Sequence, residues 1–406
     1  MAGRVYQFTR LGRLGETAIS ISEYPIVVVG AGFFGATVAR EIAARYALEV
    51  LVIDKREHIG GNSYSRIDDE SGIEYHAYGS HIFHTSNEEV WRFVSQFTEF
   101  NNYRHRVLTR HNGRVYSMPI NLMTINSFFN SNYTPAGASA FLSKEIARER
   151  VEHPTNLEEK AISLIGRQLY EAFIQGYTKK QWNIDPKLLP VETINRLPVR
   201  FNYNDFYFSD RFEGIPLEGY TRLFERMLDH PKITVMTQCD YFAIANEISP
   251  NAAIVYTGPV DAYFGHRLGR LGWRTLDLEL ERLPVSDFQG TTVMNYADLD
   301  VGFTRIHEFK HYHPERRYSS ECTLIMREYP RSATLRDEPY YPINTMQDKM
   351  LYDGYKKLVE REPRTVFGGR LGTYRYLDMH QAIGAALRAI DVEIVPLLIR
   401  LSVLSC

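Results

Sequence analysis

Apolar residues along this chain fall into three kinds of pattern, and each predicts a different element. Unbroken apolar runs come first: Ile26 to Val29 leads straight into Gly30-x-Gly32-x-x-Gly35, a helix-permissive stretch follows, and Leu51 to Ile53 ends at Asp54. Strand, tight glycine turn, helix and strand is the order of the dinucleotide-binding βαβ unit. Helical spacing comes next. Val90, Phe93, Val94 and Phe97 share one face of a helix over 87–100 capped by Ser86 or Asn87, and most of 119–176 repeats apolar positions in the same way. Two short strands over 107–118 flank Asn112-Gly113, a hairpin turn signal. Alternation dominates from Trp273 to Met326, in RTLDLELERL, TTVMNYA, FTRIHEF and TLIMREY, which predicts an antiparallel sheet with one solvated or ligand-facing side. Short β runs at 233–240 and 252–256, the second ending in Thr257-Gly258-Pro259, fit a return of the chain to the first sheet. Helices are expected at 221–228, 352–360 and 381–390, and Glu338 to Pro342 reads as a rigid aromatic turn.

Composition narrows the class without naming a function. The chain has 406 residues, 44% hydrophobic and 24% charged, as in soluble globular proteins of two or three subdomains. A net charge of −2 draws it to neither nucleic acid nor membrane, so an anionic ligand must be met by locally gathered arginines. No run reaches the eighteen or so apolar residues of a membrane span, and residues 1–22 do not read as a secretory signal. Three scattered cysteines without metal-type spacing fit a reducing cytoplasm. Aromatics reach 13%, with 27 tyrosines, the residue type that often lines sugar or base sites and more often simply packs with a wet hydroxyl.

The chemistry is densest at the glycine turns. Gly30 permits the turn, Gly32 lets a pyrophosphate approach the backbone, and Gly35 lets the helix pack close. Asp54 stands nineteen residues beyond Gly35, where it can accept from ribose hydroxyls and disfavours a 2′-phosphate. Arg56-x-x-x-Gly60-Gly61 adds a second glycine pair just past the second strand and resembles the glycine-doublet signature of large FAD-binding proteins, a resemblance that favours FAD over NAD. His76, His81 and His84 lack a carboxylate or cysteine at supporting spacing, so no metal site is expected. Gly79-Ser80-His81 is placed to lie over a flavin ring, whereas His84 reads equally as a site residue or a hydrogen-bonded core histidine. FIQGYTKKQW places Tyr177, two lysines and Trp182 at a helix end, suited to a base and a phosphate or simply to the helix dipole. The proline-bearing stretch 183–200 reads as a long binding loop carrying Arg196 and Arg200. Asn295, Arg305 and Glu308 are candidates to project from the sheet. A second glycine-rich segment at 367–372 precedes the last helix and suits the far end of a flavin.

With these residues in view, the chain resembles the bacterial UDP-galactopyranose mutase family. The motifs that carry the likeness are VVVGAGFFGA, DKREHIGGN, HAYGSHIFHT, GYTKKQW, RLPVR, TGPVDAYF, GWRTLDLE, DFQGTTVMNYAD, FTRIHEF, EPYYPIN and FGGRLGTYRYLDM, in order from about residue 24 to 387. The resemblance implies an α/β architecture: a Rossmann-like FAD domain from 23–106, 222–264 and 345–390, a helical subdomain over 119–200 with a mobile loop near 183–200, and an antiparallel sheet of about six strands from 107–118, 201–221 and 265–344. Residues 1–22 and 391–406 fall outside it and read as tails of unknown role.

The resemblance also implies an activity, the interconversion of UDP-galactopyranose and UDP-galactofuranose for cell-surface glycans. Reduced FAD would attack the anomeric carbon through N5, expel UDP, and carry the opened sugar as a flavin iminium. It implies Arg196 and Arg305 at the diphosphate, with Tyr341 and Tyr376 as hydroxyl partners and Arg274 and Asn295 less directly engaged. Tyr177, Trp182 and Tyr207 would bound the uridine, and His81 would contact the flavin. Gly30, Gly32, Gly35, Asp54, Arg56, Gly60, Gly61, Asn62, Gly369, Arg370 and Asp378 would hold the cofactor. A homodimer and an external reductant such as NAD(P)H are the further expected partners, although the sequence sets neither. An FAD-dependent amine or alcohol oxidase is the alternative, because the glycine doublet occurs there too.

Overall fold

The computed structural model describes residues 8–9, 20–194, 198–319 and 321–405. Two sheets organise them. In the first, Ile26–Val29 lies beside Val50–Ile53 on one side and Ala253–Tyr256 on the other, all parallel, with Ile233–Met236 and Thr365–Phe367 extending the sheet in parallel. Phe8–Thr9 pairs antiparallel at one edge, so part of the expected N-terminal tail belongs to this sheet.

These strands carry apolar side chains on both faces because both faces are covered. Ile26, Val28, Val50 and Val52 join the main core under helix Phe33–Tyr46, while Val27, Leu51, Ile53 and Ile254 pack with Met236, Tyr241 and Ile244 on the opposite side. Helix Met379–Ala389 packs along Phe33–Tyr46 and brings the late glycine-rich segment next to the early one.

The second sheet is seven-stranded. Its order is Tyr341–Pro342, Trp273–Leu283, Thr323–Ser332, Arg305–Glu308, Val293–Tyr296, Val107–His111, Arg114–Met118. Every neighbouring pair is antiparallel except Val293–Tyr296 with Val107–His111. The predicted hairpin forms, with Asn112 (φ 48°) and Gly113 (φ 75°) both left-handed as a two-residue turn of this twist requires. The expected aromatic turn is instead partly strand, since Tyr341–Pro342 pairs with Trp273–Arg274.

After the hairpin come the helices Leu122–Phe128, Pro135–Glu149, Leu157–Tyr170 and Gly176–Trp182, the last entered through a π turn, Glu171–Gln175. The proline-rich stretch after Trp182 holds 3-10 turns at Pro186–Leu188 and Val191–Ile194. Residues past Ala389 are not loose: a π turn, Ile390–Ile394, and helix Val395–Arg400 bury Ile390, Ile394, Leu397 and Leu398 in the main core. Among the described residues, no helix is long and apolar enough to cross a membrane.

Candidate active site

The glycine turns meet face to face. A side chain on Gly35 would place its Cβ 2.0 Å from the Gly30 carbonyl, so only glycine lets helix Phe33–Tyr46 start this close to the strand. Gly61 (φ +57°) lies so near Gly32 that its Cβ would sit 3.2 Å from the Gly32 Cα. Gly32 caps the helix without a side chain, and Phe33 and Phe34 of the first turn line the adjoining cavity, which offers an anion the helix N-terminus. Asp54 ties the two turns together: Oδ2 accepts from Ala31 N–H and Oδ1 from Arg56 N–H, both at 2.9 Å.

Arg56 is held in turn by Asn62 Oδ1 (2.8 Å) and Glu338 (2.9 Å). The cavity measures about 430 Å³, within the span of roughly 300–1,000 Å³ usual for cofactor and ligand sites. All the glycines, acids and basic groups expected at the cofactor line it: Gly30, Gly32, Gly35, Asp54, Arg56, Gly60, Gly61, Asn62, His81, Gly369, Arg370 and Asp378. The residues therefore fit an extended dinucleotide, with a backbone cradle for its phosphates at one end and helix starts after Gly368 and Asp378 at the other.

A second group of residues comes from the antiparallel sheet. Register sets Asn295 opposite Arg305, and Arg305 opposite Glu328, so the three share one face in a single cross-strand row. Arg305 donates through Nη2 to the Tyr177 hydroxyl on helix Gly176–Trp182, and its Nε lies 3.2 Å from Glu328 Oε2. Glu328 Oε1 accepts from His307 Nε2 at 2.7 Å. Burial alone would raise the Glu328 carboxyl, but Arg305 and then His307 outweigh it and hold it at about 2.

Glu328 is also where the two sites touch. A Cβ on Gly79 would be 2.7 Å from its Oε1, and Gly79 O accepts from His81 Nδ1–H at 2.8 Å. That bond leaves His81 Nε2 as the unprotonated nitrogen, and burial pushes the ring down to about 4. Arg370 donates to Tyr340 O (3.1 Å) and Leu377 O (2.7 Å) and lies over the rings of Tyr376 and Tyr341, which stack on each other. Burial raises the phenols of Tyr177 and Tyr341, so both are neutral donors at ordinary pH.

Other expectations are placed differently. Arg274 is fully buried, 0% exposed, and gives its donors to Gln181 O (2.9 Å), Lys180 O (3.4 Å) and Ser332 Oγ (2.9 Å). It caps the helix that carries Tyr177 and does not face a ligand. Lys180 is likewise not free for a phosphate, since its ammonium donates to the carbonyls of Tyr296, Asp298, Val301 and Phe303 at 2.6–3.2 Å. Glu308 is buried and binds the N–H groups of Phe288 and Gln289 and the Thr323 hydroxyl. His84 takes the hydrogen-bonded reading, with Nδ1 2.7 Å from Asp210.

Trp182 ends its helix partly buried against the core, and Tyr207 is 37% exposed against His105 and Phe208. Arg196 lies outside the described residues. A larger hollow of about 660 Å³ is bounded by Glu171, Asp298 and Asp300 with Arg110, a lining too acidic for a diphosphate. Sequence reasoning missed Glu328 and His307. Both sit in strands it identified, but their role depends on a pairing register that no local pattern encodes.

The comparisons agree with this geometry. The family described as UDP-galactopyranose mutase matches residues 172–376, and an NAD(P)-binding Rossmann-like domain matches residues 28–97. A probable UDP-galactopyranose mutase of Klebsiella pneumoniae is 45% identical over 90% of this chain and 94% of its own. A dTDP-fucopyranose mutase of Escherichia coli is 38% identical over 91% and 98%. The crystal structure of a reduced UDP-galactopyranose mutase superposes with a TM-score of 0.73 at 16% identity, covering 92% of this chain and 94% of that one, a likeness of fold. An enzyme of this kind is an isomerase, and the oxidase alternative is the less supported of the two. With its dinucleotide cavity and arginine row in place, the chain belongs to the UDP-galactopyranose mutase family.

Proposed function

We propose that this protein interconverts UDP-galactopyranose and UDP-galactofuranose with FAD in the glycine-lined cavity. Reduced FAD, when bound, supplies the nucleophile for the anomeric carbon. What the chain supplies is placement and charge. Arg305, steadied by Tyr177, stabilises the negative charge that grows on the departing UDP, an interaction stronger in the transition state than in the bound substrate. Tyr341 and Tyr376 add neutral donors, and Tyr177 offers a ring for the uracil. His81, neutral with an unprotonated Nε2, faces the cofactor cavity as an acceptor and has no imidazolium proton to donate at neutral pH. Arg370 sets a positive charge at the same wall.

The single observation that carries this reading is Glu328, which touches both the Gly79–His81 loop of the cofactor cavity and Arg305 of the sheet. The test is anaerobic reduction of the purified protein, addition of UDP-galactofuranose, and chromatography for the pyranose. Conversion by the reduced but not the oxidised form is expected, and no conversion in either form refutes it. Because one relative is a dTDP-fucopyranose mutase, dTDP-fucopyranose is run in parallel, and a higher kcat/KM for it moves the substrate while keeping the chemistry.

A further inference from the structure

Arg305 has a long side chain, and something must hold it. The strand register places it opposite Glu328, whose carboxylate meets Arg305 Nε at 3.2 Å and His307 Nε2 at 2.7 Å. Behind His307 stands Tyr312, its hydroxyl 3.1 Å from Nδ1. An ionised carboxylate only accepts, so His307 carries a proton on Nε2 and donates it to Glu328. The carboxylate that opposes Arg305 is thereby held from behind. Glu328 is 3% exposed, Tyr312 1% and His307 0%, whereas the Arg305 side chain is 29% exposed and reaches the open side.

Both ends of this line also touch the loop over the cofactor cavity. Glu328 abuts Gly79, where any side chain would collide with Oε1, and the Ser80 side chain lies beside the Tyr312 phenol. His81, the next residue, is anchored to Gly79 O. The buried line Tyr312–His307–Glu328 thus spans from the arginine to the histidine loop.

We propose that Glu328, held by His307, is a positioning residue that fixes the Arg305 guanidinium relative to the His81 loop. An ion pair on the Nε side leaves the two Nη groups for Tyr177 and an incoming oxyanion, and it removes rotamer freedom that a free arginine would lose on binding. A buried ion pair kept only for stability would behave differently, because its loss would lower the melting temperature and leave the UDP affinity of the folded protein unchanged.

The inference rests on the mutase reading, and its test is a double-mutant cycle read in UDP affinity of the full-length, FAD-loaded protein. Glu328→Gln is expected to weaken UDP about tenfold and to lower turnover more than that, with flavin content unchanged. In an Arg305→Lys background the same change is expected to move UDP affinity less than about twofold. His307→Leu keeps the carboxylate but removes its anchor, so it gives a smaller loss that also vanishes in that background, and it replaces Glu328→Gln should that variant not fold. Equal effects in both backgrounds, or wild-type affinity and turnover in Glu328→Gln, overturn the proposal. A wild-type protein that binds FAD and UDP yet converts no sugar refutes the mutase reading and still leaves the cycle legible.

Discussion

Replacing Arg305 with alanine separates what the guanidinium does for the reaction from what it does for the fold. Removing one donor aimed at developing negative charge costs roughly 10²–10³-fold in turnover, or about 3–4 kcal/mol. With 29% of its side chain exposed, Arg305 works in partly screened surroundings, so the lower end, about 10²-fold, is expected. The same change strips Glu328 of its counter-charge. Breaking a buried pair costs about 3–5 kcal/mol, but His307 still donates to Glu328 and the lost guanidinium was partly wet, so about 2 kcal/mol is expected here.

The assay is initial-rate conversion of UDP-galactofuranose by the reduced enzyme, with flavin absorbance and a thermal melt on the same sample. Tyr177→Phe is the companion: it removes the hydroxyl that Arg305 binds but keeps the ring, and a loss of about fivefold is expected. Turnover within about threefold of wild type in Arg305→Ala, at full flavin content, would refute the reasoning, because the charge would then have no part in UDP departure.

Gly35→Ala is expected to yield a largely flavin-free protein, since its Cβ would stand 2.0 Å from the Gly30 carbonyl and push the helix N-terminus off the cradle; the flavin-to-protein absorbance ratio measures it. His81, held at about 4 instead of 6.5, stays neutral in the folded state while the unfolded chain takes up a proton. Stability is therefore expected to fall as pH drops from 6.5 through 4, and His81→Asn to make that limb shallower in denaturant midpoints, the buried His76 and His105 supplying the rest of it. The rate profile of the wild type should show no limb near 6.5 that disappears in His81→Asn. Ending the chain at Ile390 removes Ile394, Leu397 and Leu398 from the core, and at about 1.5–3 kcal/mol per buried aliphatic side chain a loss of about 5 kcal/mol is expected in urea unfolding.

How much of this was legible in the sequence depended on whether local pattern or long-range pairing decides the outcome. The βαβ unit, the Asn112-Gly113 hairpin and the alternating strands carry their own signals, because turn dihedrals and period-two burial act within a few residues. Arg305 and Asn295 could be flagged as projecting from one sheet, yet only register reveals that Glu328 stands opposite Arg305. Arg274 and Lys180 misled for another reason. Charged side chains are expected outside, and here Arg274 is fully buried and Lys180 half-buried because a helix end or a looped-back chain presents carbonyls to each. The C-terminal stretch, read as a tail of unknown role because it carries no motif, packs into the main core through Ile394, Leu397 and Leu398. The structure puts Pro396 just past the π turn Ile390–Ile394, where the regular α-helical hydrogen-bond ladder is already interrupted.

The arginines around the cleft differ in how they are held, and the difference bears on where the protein, with a net charge of −2, keeps its positive field. Arg56 is offset by Glu338, Arg305 by Glu328, and Arg331 by Asp277 and Asp337. Each of these fixes a geometry at the expense of most of its charge. Arg370 is oriented by two backbone carbonyls and two tyrosine rings, groups that direct a guanidinium without neutralising it. A unit charge about 4 Å from another is worth about 4 kcal/mol at the effective dielectric of a protein surface, and an adjacent carboxylate would cancel nearly all of it. Arg305 is therefore built for directional contact with an oxyanion, and Arg370 for the field at the cavity wall, so exchanging their partners would damage both even if every hydrogen bond were kept.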